Sequence, residues 1–346
     1  MNEFKMKKFD MQDYEKYKDL FLNVYGYNLL DEKFKKKNID NPFLKGDPII
    51  FLLLDGDKVI GANSFFPIEI IVDGKKYLGV QSGDSMILKE YRGRKLFKVI
   101  LEYAFKGLSE LEYKFVVGLP NESSYPGFIK LNFKNVDKLY VYTTILNSKI
   151  NRRIMENKVL KMLSKSGFID YCLNLFRNKD YSNQLYVEKH NGFSKEMLDF
   201  IDKNESEKDT RVNNTKEYLV WKYREFNKLK YVIRDKINKK IIAIFLCEIS
   251  GNGEAAVLDY FVSKNSTYSI NGLLNTLCKY ICENERSISE LSIWSLNNVD
   301  MDCVEKSIAY IKQNKEIYYV YKNLDDNTEF KGLEKLQINK GFSDVV

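Results

Sequence analysis

Between Gly83 and Phe97 the chain reads Gly-Asp-Ser-Met-Ile-Leu-Lys-Glu-Tyr-Arg-Gly-Arg-Lys-Leu-Phe, and the side chains here that could do chemistry are Asp84, Arg92, Arg94 and Lys95. The part through Leu88 is apolar enough for a buried strand, and from Leu96 the apolar residues Leu96, Phe97, Ile100, Leu101, Ala104, Phe105 and Leu108 recur at helical spacing. A short basic turn, Lys89–Lys95 with Gly93 inside it, joins the two. A strand that turns sharply into a helix leaves the first helical N–H groups without partners and aims the positive end of the helix dipole outward. Such an end suits a phosphate, and Arg92, Arg94 and Lys95 add cationic donors at the same place. Asp84 lies in the apolar strand end, two residues before Met86 and so on the same face. An acid among apolar neighbours has a raised pKa that suits general-base work; the alternative is that Asp84 ends a ladder or caps a turn. Glu90 and Glu122 are weaker candidates, being expected at the surface.

The elements that must position these residues follow from pattern. Asp10–Tyr25 reads as an amphipathic helix with Tyr14, Tyr17, Leu20, Phe21 and Val24 on one face, and Lys35–Lys37 as solvated surface. Ile49–Leu54 and Val59–Val72 form a hairpin about Asp55-Gly56, and Asp73-Gly74 turns the chain into Tyr77–Leu88. This antiparallel meander feeds the basic turn. After the helix, Lys114–Asn121 is a buried strand, ended by Pro120 and parallel to Tyr77–Leu88. Ser123–Leu131 is a short helix carrying Tyr125 and Phe128, closed by Asn132.

At 346 residues the chain is long for one core and natural for two domains. Lys149–Arg177 reads as a basic helical connection with a solvated face, and Lys203–Asn214 as a surface loop. Beyond them come a hairpin of Tyr231–Lys236 with Ile241–Ile249, a strand Ala255–Val262, a helix Ile270–Cys282, a strand Leu291–Leu296, a helix Cys303–Asn314 and a strand Ile317–Asn323. Strand, strand, strand, helix, strand, helix, strand is the order of both halves, a duplication of architecture without one of sequence. The expected division is 1–148, a connection over 149–180, and 181–346. No basic loop stands between Val262 and Ile270.

Composition narrows the chemistry. Net charge is +7, but 55 basic residues oppose 48 acidic ones, so most charge is mixed surface and no nucleic-acid partner is expected. His190 is the only histidine, which excludes multi-histidine metal sites and makes a Ser-His or Cys-His centre a poor reading; no metal is expected. The five cysteines lack paired spacing and read as free thiols of a reducing compartment. The start of the chain has no apolar signal core, and no run approaches ~18 apolar residues, so no membrane partner and a cytoplasmic location are expected.

Tyr91-Arg92-Gly93-Arg94-Lys95-Leu96-Phe97 resembles the acyl-CoA pyrophosphate loop of GNAT-type N-acetyltransferases, whose pattern is Arg or Gln, two residues, Gly, one residue, Gly or Ala. Arg92 matches the first position, while Lys95 and Phe97 stand where the family has Gly and Gly or Ala. Asn121 to Phe133 resembles the later family motif of Asn, a short helix, then Tyr-x-x-x-Gly-Phe, with Phe128 in the Tyr place and Asn132 in the Gly place. The doubled order of elements is similar to tandem GNAT proteins with a degenerate second domain. The resemblance implies two tandem α/β domains, each a mixed, mainly antiparallel sheet flanked by helices. It implies acetyl-CoA as co-substrate, gripped by Arg92, Gly93, Arg94, Lys95, Leu96 and Phe97, with backbone contacts from Met86, Ile87 and Leu88 and with Asn121 and Phe128 facing it. The reaction implied is acetyl transfer to a small-molecule primary amine, an amino sugar first among them, with Asp84 as base. The family Tyr often protonates the departing thiolate; Tyr125, one turn before Phe128, is either its substitute or a packing aromatic. Two other readings stay open: a non-catalytic GNAT-like binding protein, and a Fem-like peptidyl transferase that uses aminoacyl-tRNA.

Overall fold

Two Asp-Gly turns set the first half in register. Asp73 and Gly74 take φ of 47° and 76°, left-handed at both centres, the geometry that matches the twist of a two-residue hairpin. In the computed structural model, which describes residues 4–178, 183–205, 210–225, 227–295, 310–324, 332–336 and 338–343, the first half runs β1 (Lys5–Lys8), α1 (Tyr14–Tyr25), α2 (Asp31–Asn38), β2 (Ile49–Asp55), β3 (Lys58–Val72), β4 (Lys75–Ile87), α3 (Leu96–Glu110), β5 (Phe115–Gly118), α4 (Tyr125–Ile129) and β6 (Lys134–Ile145). Three helices follow, α5 (Arg152–Glu156), α6 (Lys158–Lys165) and α7 (Phe168–Asn178). The rest comprises β7 (Leu185–His190), α8 (Lys195–Glu205), β8 (Thr210–Val212), α9 (Lys216–Lys222), β9 (Lys228–Asp235), β10 (Ile241–Ile249), β11 (Glu254–Val262), α10 (Ile270–Asn284), β12 (Glu290–Ser295), β13 (Ile311–Asn323) and α11 (Lys340–Ser343).

The strands form one mixed sheet in the order β1-β2-β3-β4-β5-β13-β6-β12-β11-β10-β9-β7, with β8 paired to β3 off this path. Among the described residues only β4–β5 and β11–β12 are parallel, and every other pair is antiparallel. From either edge inward the same run is met, four antiparallel strands and then a parallel neighbour. At the centre the halves exchange strands. β13, from the end of the chain, lies against β5, with Val320 opposite Gly118, while β6 lies against β12, with Leu291 opposite Thr144.

Periodicity reappears as burial. Tyr17, Leu20 and Phe21 of α1 and Leu96, Ile100, Leu101, Ala104 and Leu108 of α3 pack with β2–β4 in one core. Leu273, Leu274, Leu277, Cys278 and Ile281 of α10 pack in a second. A third core bridges the halves, where Leu333, Leu336, Ile338 and Phe342 cover Ile68, Ile70, Val117 and Tyr319. Gly341 there has no room for a side chain, because a Cβ would stand 2.7 Å from the Leu258 carbonyl oxygen.

Four expectations need correction. Of Lys35–Lys37 only Lys35 is solvated surface, for Lys36 is buried and Lys37 is largely so. The Lys36 ammonium donates to the Lys222 carbonyl and to Glu225, and Lys228 and Lys230 donate to the Lys222 and Tyr223 carbonyls. These cations therefore satisfy the last carbonyls of α9, at the negative end of its dipole, and tie α2 to the second half. Burial draws Lys36 and Lys230 down to about 8. Lys203–Asn214 is not simply a loop, since β8 pairs with Ile70–Val72 of β3. The connection after β6 does not present only a basic face: Val159, Met162, Phe168 and Tyr171 are exposed while Ser164 is wholly buried. In the expected helix Cys303–Asn314, residues 303–309 lie outside the described residues, and Ile311 onward is strand because it pairs with Thr143 of β6.

Candidate functional site

Strands β4 and β5 pair only at Val80–Val116 and Gln81–Val117. Beyond Gln81 the first strand runs on to Ile87, while β5 ends at Gly118, held by β13 on its other side. The peptide groups of β4 that point toward β5 past this junction therefore meet no ladder from β5. Two local features open the gap. Asn63 of β3 faces both Asp84 and Ser85, a bulge between the pairs Ser64–Gly83 and Ala62–Met86, and a bulge bends and twists its strand. On the other side Pro120 closes β5, and proline donates no ladder hydrogen bond. The Asn63 side chain fixes the bulge by donating to Ser82 Oγ (3.1 Å) and accepting from Ser85 Oγ.

Above the gap the chain makes one 3-10 turn, Lys89–Tyr91, and then enters α3. Gly93 takes φ 79° and Lys95 φ 61°, and Lys95 is the residue just before the helix. No side chain caps this end, so its first amides stay open, and Arg92, Gly93, Arg94 and Lys95 are all exposed around them. Arg92 Nε donates to the Ile87 carbonyl at 3.0 Å and Arg94 to the Glu90 carbonyl at 3.2 Å, which anchors both guanidinium groups beside the helix start. The position where the sequence offers lysine for glycine thus has the backbone geometry that glycine favours. The open amides, the left-handed turn and the three cations fit a diphosphate. In the second half the corresponding helix end differs: Ser269 Oγ accepts from the Gly272 amide (3.1 Å) and caps α10 itself.

Asp84 sits at the bulge with φ 43°. Its setting is not the apolar one expected, because Lys37 Nζ lies 3.4 Å from each carboxylate oxygen and 5.5 Å from the centre of the Phe66 ring. Tyr17 and Tyr25 stand near the same carboxylate. Burial raises both phenols well above the ordinary range, and the charge of Asp84 adds to it. Tyr17 shares a 2.8 Å hydrogen bond with Ser64. Lys37, Tyr17 and Tyr25 were missed as site residues. Tyr17 carried a signal only for core packing, and neither Tyr25, at the end of its helix, nor Lys37, inside a lysine run, carried one. Glu90 is exposed and pairs with Lys58, and Glu122 is exposed, so neither joins this group.

The other expected residues divide. Phe97 and Phe128 meet edge to face, with ring centres 5.3 Å apart, and Phe128 also packs on Phe133, so an apolar wall joins α3 to α4. Leu96, Met86 and Leu88 are buried beneath it and Ile87 partly so. Asn121 Oδ1 accepts from the Ser123 and Ser124 amides at 3.1 Å each, so this oxygen holds the turn that precedes α4. Tyr125 stacks on Tyr318 of β13, with ring centres 3.9 Å apart. Among the described residues no group of three or more His, Cys, Asp or Glu could hold a metal, and no helix is long and apolar enough to cross a membrane.

Residues 5–135 match the family model of the acetyltransferase (GNAT) domain. No curated protein matches the chain. Among solved structures, the GCN5-related N-acetyltransferase of Anabaena variabilis ATCC 29413 superposes with a TM-score of 0.61 at 13% identity, covering 93% of this chain and 73% of that one. Saccharomyces cerevisiae N-myristoyltransferase with bound myristoyl-CoA gives 0.60 at 13% identity, covering 93% and 79%. A GCN5-related glucosamine N-acetyltransferase region of a fungal multi-domain β-N-acetylglucosaminidase gives 0.61 at 11% identity, covering 93% and 38%. At these identities the likeness is one of fold.

Proposed function

We propose that this chain is a GNAT-type acyltransferase, a reading supported by the match of residues 5–135 to the acetyltransferase (GNAT) domain, and that it moves an acetyl group from acetyl-CoA to a small-molecule primary amine. The observation that carries this reading is the divergence of β4 from β5 beneath the open N-terminus of α3. The α3 amides with Arg92, Arg94 and Lys95 hold the diphosphate, and the β4 peptide groups of Met86–Leu88 that face the gap hold the pantetheine arm. Phe97 and Phe128 form the apolar wall beside it.

Positioning of amine and thioester supplies the largest share, of the order of 7–11 kcal/mol for well-aligned partners. Asp84 takes a proton from the ammonium, freeing the nitrogen lone pair to attack the thioester carbon; a positioned base contributes roughly 10²–10⁴-fold. As the C–N bond forms, an amide near the bulge donates to the oxyanion, which is worth about 3 kcal/mol. The C–S bond then breaks as Tyr125 gives its proton to the departing sulfur, the surplus proton on the new amide nitrogen passes to the Tyr125 phenolate, and Asp84 returns the first proton to solvent. Lys37, paired to Asp84, positions the carboxylate. An amino sugar is the first acceptor to test, since one structural neighbour is a glucosamine N-acetyltransferase region. The absent hydroxyl at buried Phe128 favours the second reading, a GNAT-like binding protein without turnover.

Calorimetric titration with acetyl-CoA tests the proposal. Arg92→Ala with Arg94→Ala weakens binding roughly 30-fold to 150-fold, given about 1–1.5 kcal/mol for each exposed cation. Equal affinity in the variant, or no binding by the wild type, ends the proposal. Binding without acetylation of any amine in a panel of amino sugars and amines gives the second reading.

A further inference from the structure

The helices between β6 and β7 carry large apolar side chains outward. In α6 the inward position is Ser164, wholly buried and sharing a 2.8 Å hydrogen bond with Ser148. In α7 it is Asp170, whose carboxylate accepts from the Ser148 amide at 3.0 Å. The opposite sides carry Val159 and Met162, 63% and 66% exposed, and Phe168, Tyr171 and Leu175, 55%, 63% and 50% exposed. Spacings of three and four place each set on one face of its helix. Leu163, Ile169, Cys172 and Leu173 are half-buried beside Ser164 and Asp170, so these outward side chains are surplus to the packing of the two helices, and apolar side chains of this size left outward mark a surface that meets another apolar phase.

Charge selects the phase. Lys158 and Lys165 lie one turn before and one turn after Met162 on the same side of α6, Lys161 lies beside them and Lys149 just before the helices; all are exposed and, among the described residues, none has an acid within ion-pair distance. Arg152 and Arg153 add two more cations, paired to Glu156 and Glu290. Asp170, on α7, is engaged by the Ser148 amide. An aliphatic centre rimmed by lysines is the arrangement of a helix that lies in a headgroup layer, its apolar chains in the acyl boundary and its ammonium groups at anionic headgroups. A second copy of this chain would bring the same cations face to face, which disfavours self-association. A nucleic acid has no use for outward Val159, Met162 and Leu175.

We propose that α6 and α7 form a membrane-surface site that seats the protein on anionic lipid without crossing the bilayer. The test is flotation of the full chain with vesicles of phosphatidylcholine alone and of phosphatidylcholine mixed with phosphatidylglycerol. The chain floats with the mixed vesicles only, and high salt releases it. Lys158→Ala with Lys161→Ala weakens partitioning on the order of 30-fold. Met162→Ser with Phe168→Ser weakens it at least about tenfold. Both variants keep the thermal unfolding profile of the wild type, because the altered side chains touch solvent. Undiminished binding by either variant, binding to both vesicle types alike, or no binding at all overturns the proposal. So does a wild-type dimer that the apolar variant splits, which would mark the face as a contact between copies.

Discussion

Lys95 offers a quantitative test of how the anion site is built. It is held at φ 61° and ψ 17°, just before α3, and its side chain makes no capping hydrogen bond. A non-glycine residue in this region costs about 1–2 kcal/mol. Glycine removes that cost but adds roughly 0.5–1 kcal/mol through the freedom of the unfolded chain. Lys95→Gly is therefore neutral to about 1.5 kcal/mol more stable than the wild type. Lys95→Ala keeps the strain and is close to neutral, so the glycine variant exceeds the alanine variant by about 1 kcal/mol, roughly two degrees of melting temperature in a chain of this size. Both variants also delete an exposed ammonium at the proposed diphosphate site, which weakens acetyl-CoA binding about two- to fivefold. Glycine restores part of this by letting phosphate reach bare backbone, so affinity falls in the order wild type, Lys95→Gly, Lys95→Ala. Thermal and urea unfolding with calorimetric titration measure both quantities. If Lys95→Gly is less stable than Lys95→Ala, the left-handed cap is not the conformation the protein populates, and the argument for an anion cradle at α3 fails with it.

Asp84→Asn lowers kcat about 10²–10⁴-fold with acetyl-CoA affinity within about twofold of wild type; unchanged turnover in amine acetylation removes Asp84 from the reaction. Tyr125→Phe lowers kcat without altering the melting temperature, whereas a loss confined to stability makes the residue only the partner on which Tyr318 stacks. Lys36 titrates near about 8 in the folded protein and near about 10.4 when unfolded, so between those values the unfolded chain binds more protons and stability rises with pH. Read as the difference in urea midpoint between wild type and Lys36→Met, to cancel other groups, the wild type gains from pH ~8 to ~10. A flat difference shows that the ammonium is not held in a low-dielectric site. Gly341→Ala drives a Cβ to 2.7 Å from the Leu258 carbonyl oxygen and costs about 2 kcal/mol or more by chemical denaturation; a neutral result contradicts the packing of α11 on β11.

Local pattern carried much of the fold. The Asp-Gly turns, the apolar runs and the helical spacing after Leu96 placed β2, β3, β4 and α3 within a few residues. The exposed, basic turn carried its own signal because its chemistry lies in consecutive residues. What was not legible depends on partners far away in the chain. Lys37 meets Asp84, and Lys36 meets carbonyls of α9, only after the halves close, and a run of lysines gives no hint of either. The central exchange was hidden for the same reason. Ile311 and Ile317 read as apolar residues of strand or helix until β6 lies beside them, and the Asn63–Ser85 contact that fixes the bulge joins residues on two strands. The outward apolar row of α6 and α7 escaped notice because helical periodicity marks a face without saying which way it points.

The crossing of β6 and β13 also has a consequence for biosynthesis. A ribosome delivers β5 long before β13, its neighbour, so the amino-terminal half emerges with an unfilled slot in its sheet and with β6 lacking a mate on either side. Until roughly the last strand leaves the exit tunnel, neither half has its full complement of pairs. Maturation is then a single late closure, and a gene cut between the halves yields pieces that must find each other to become whole.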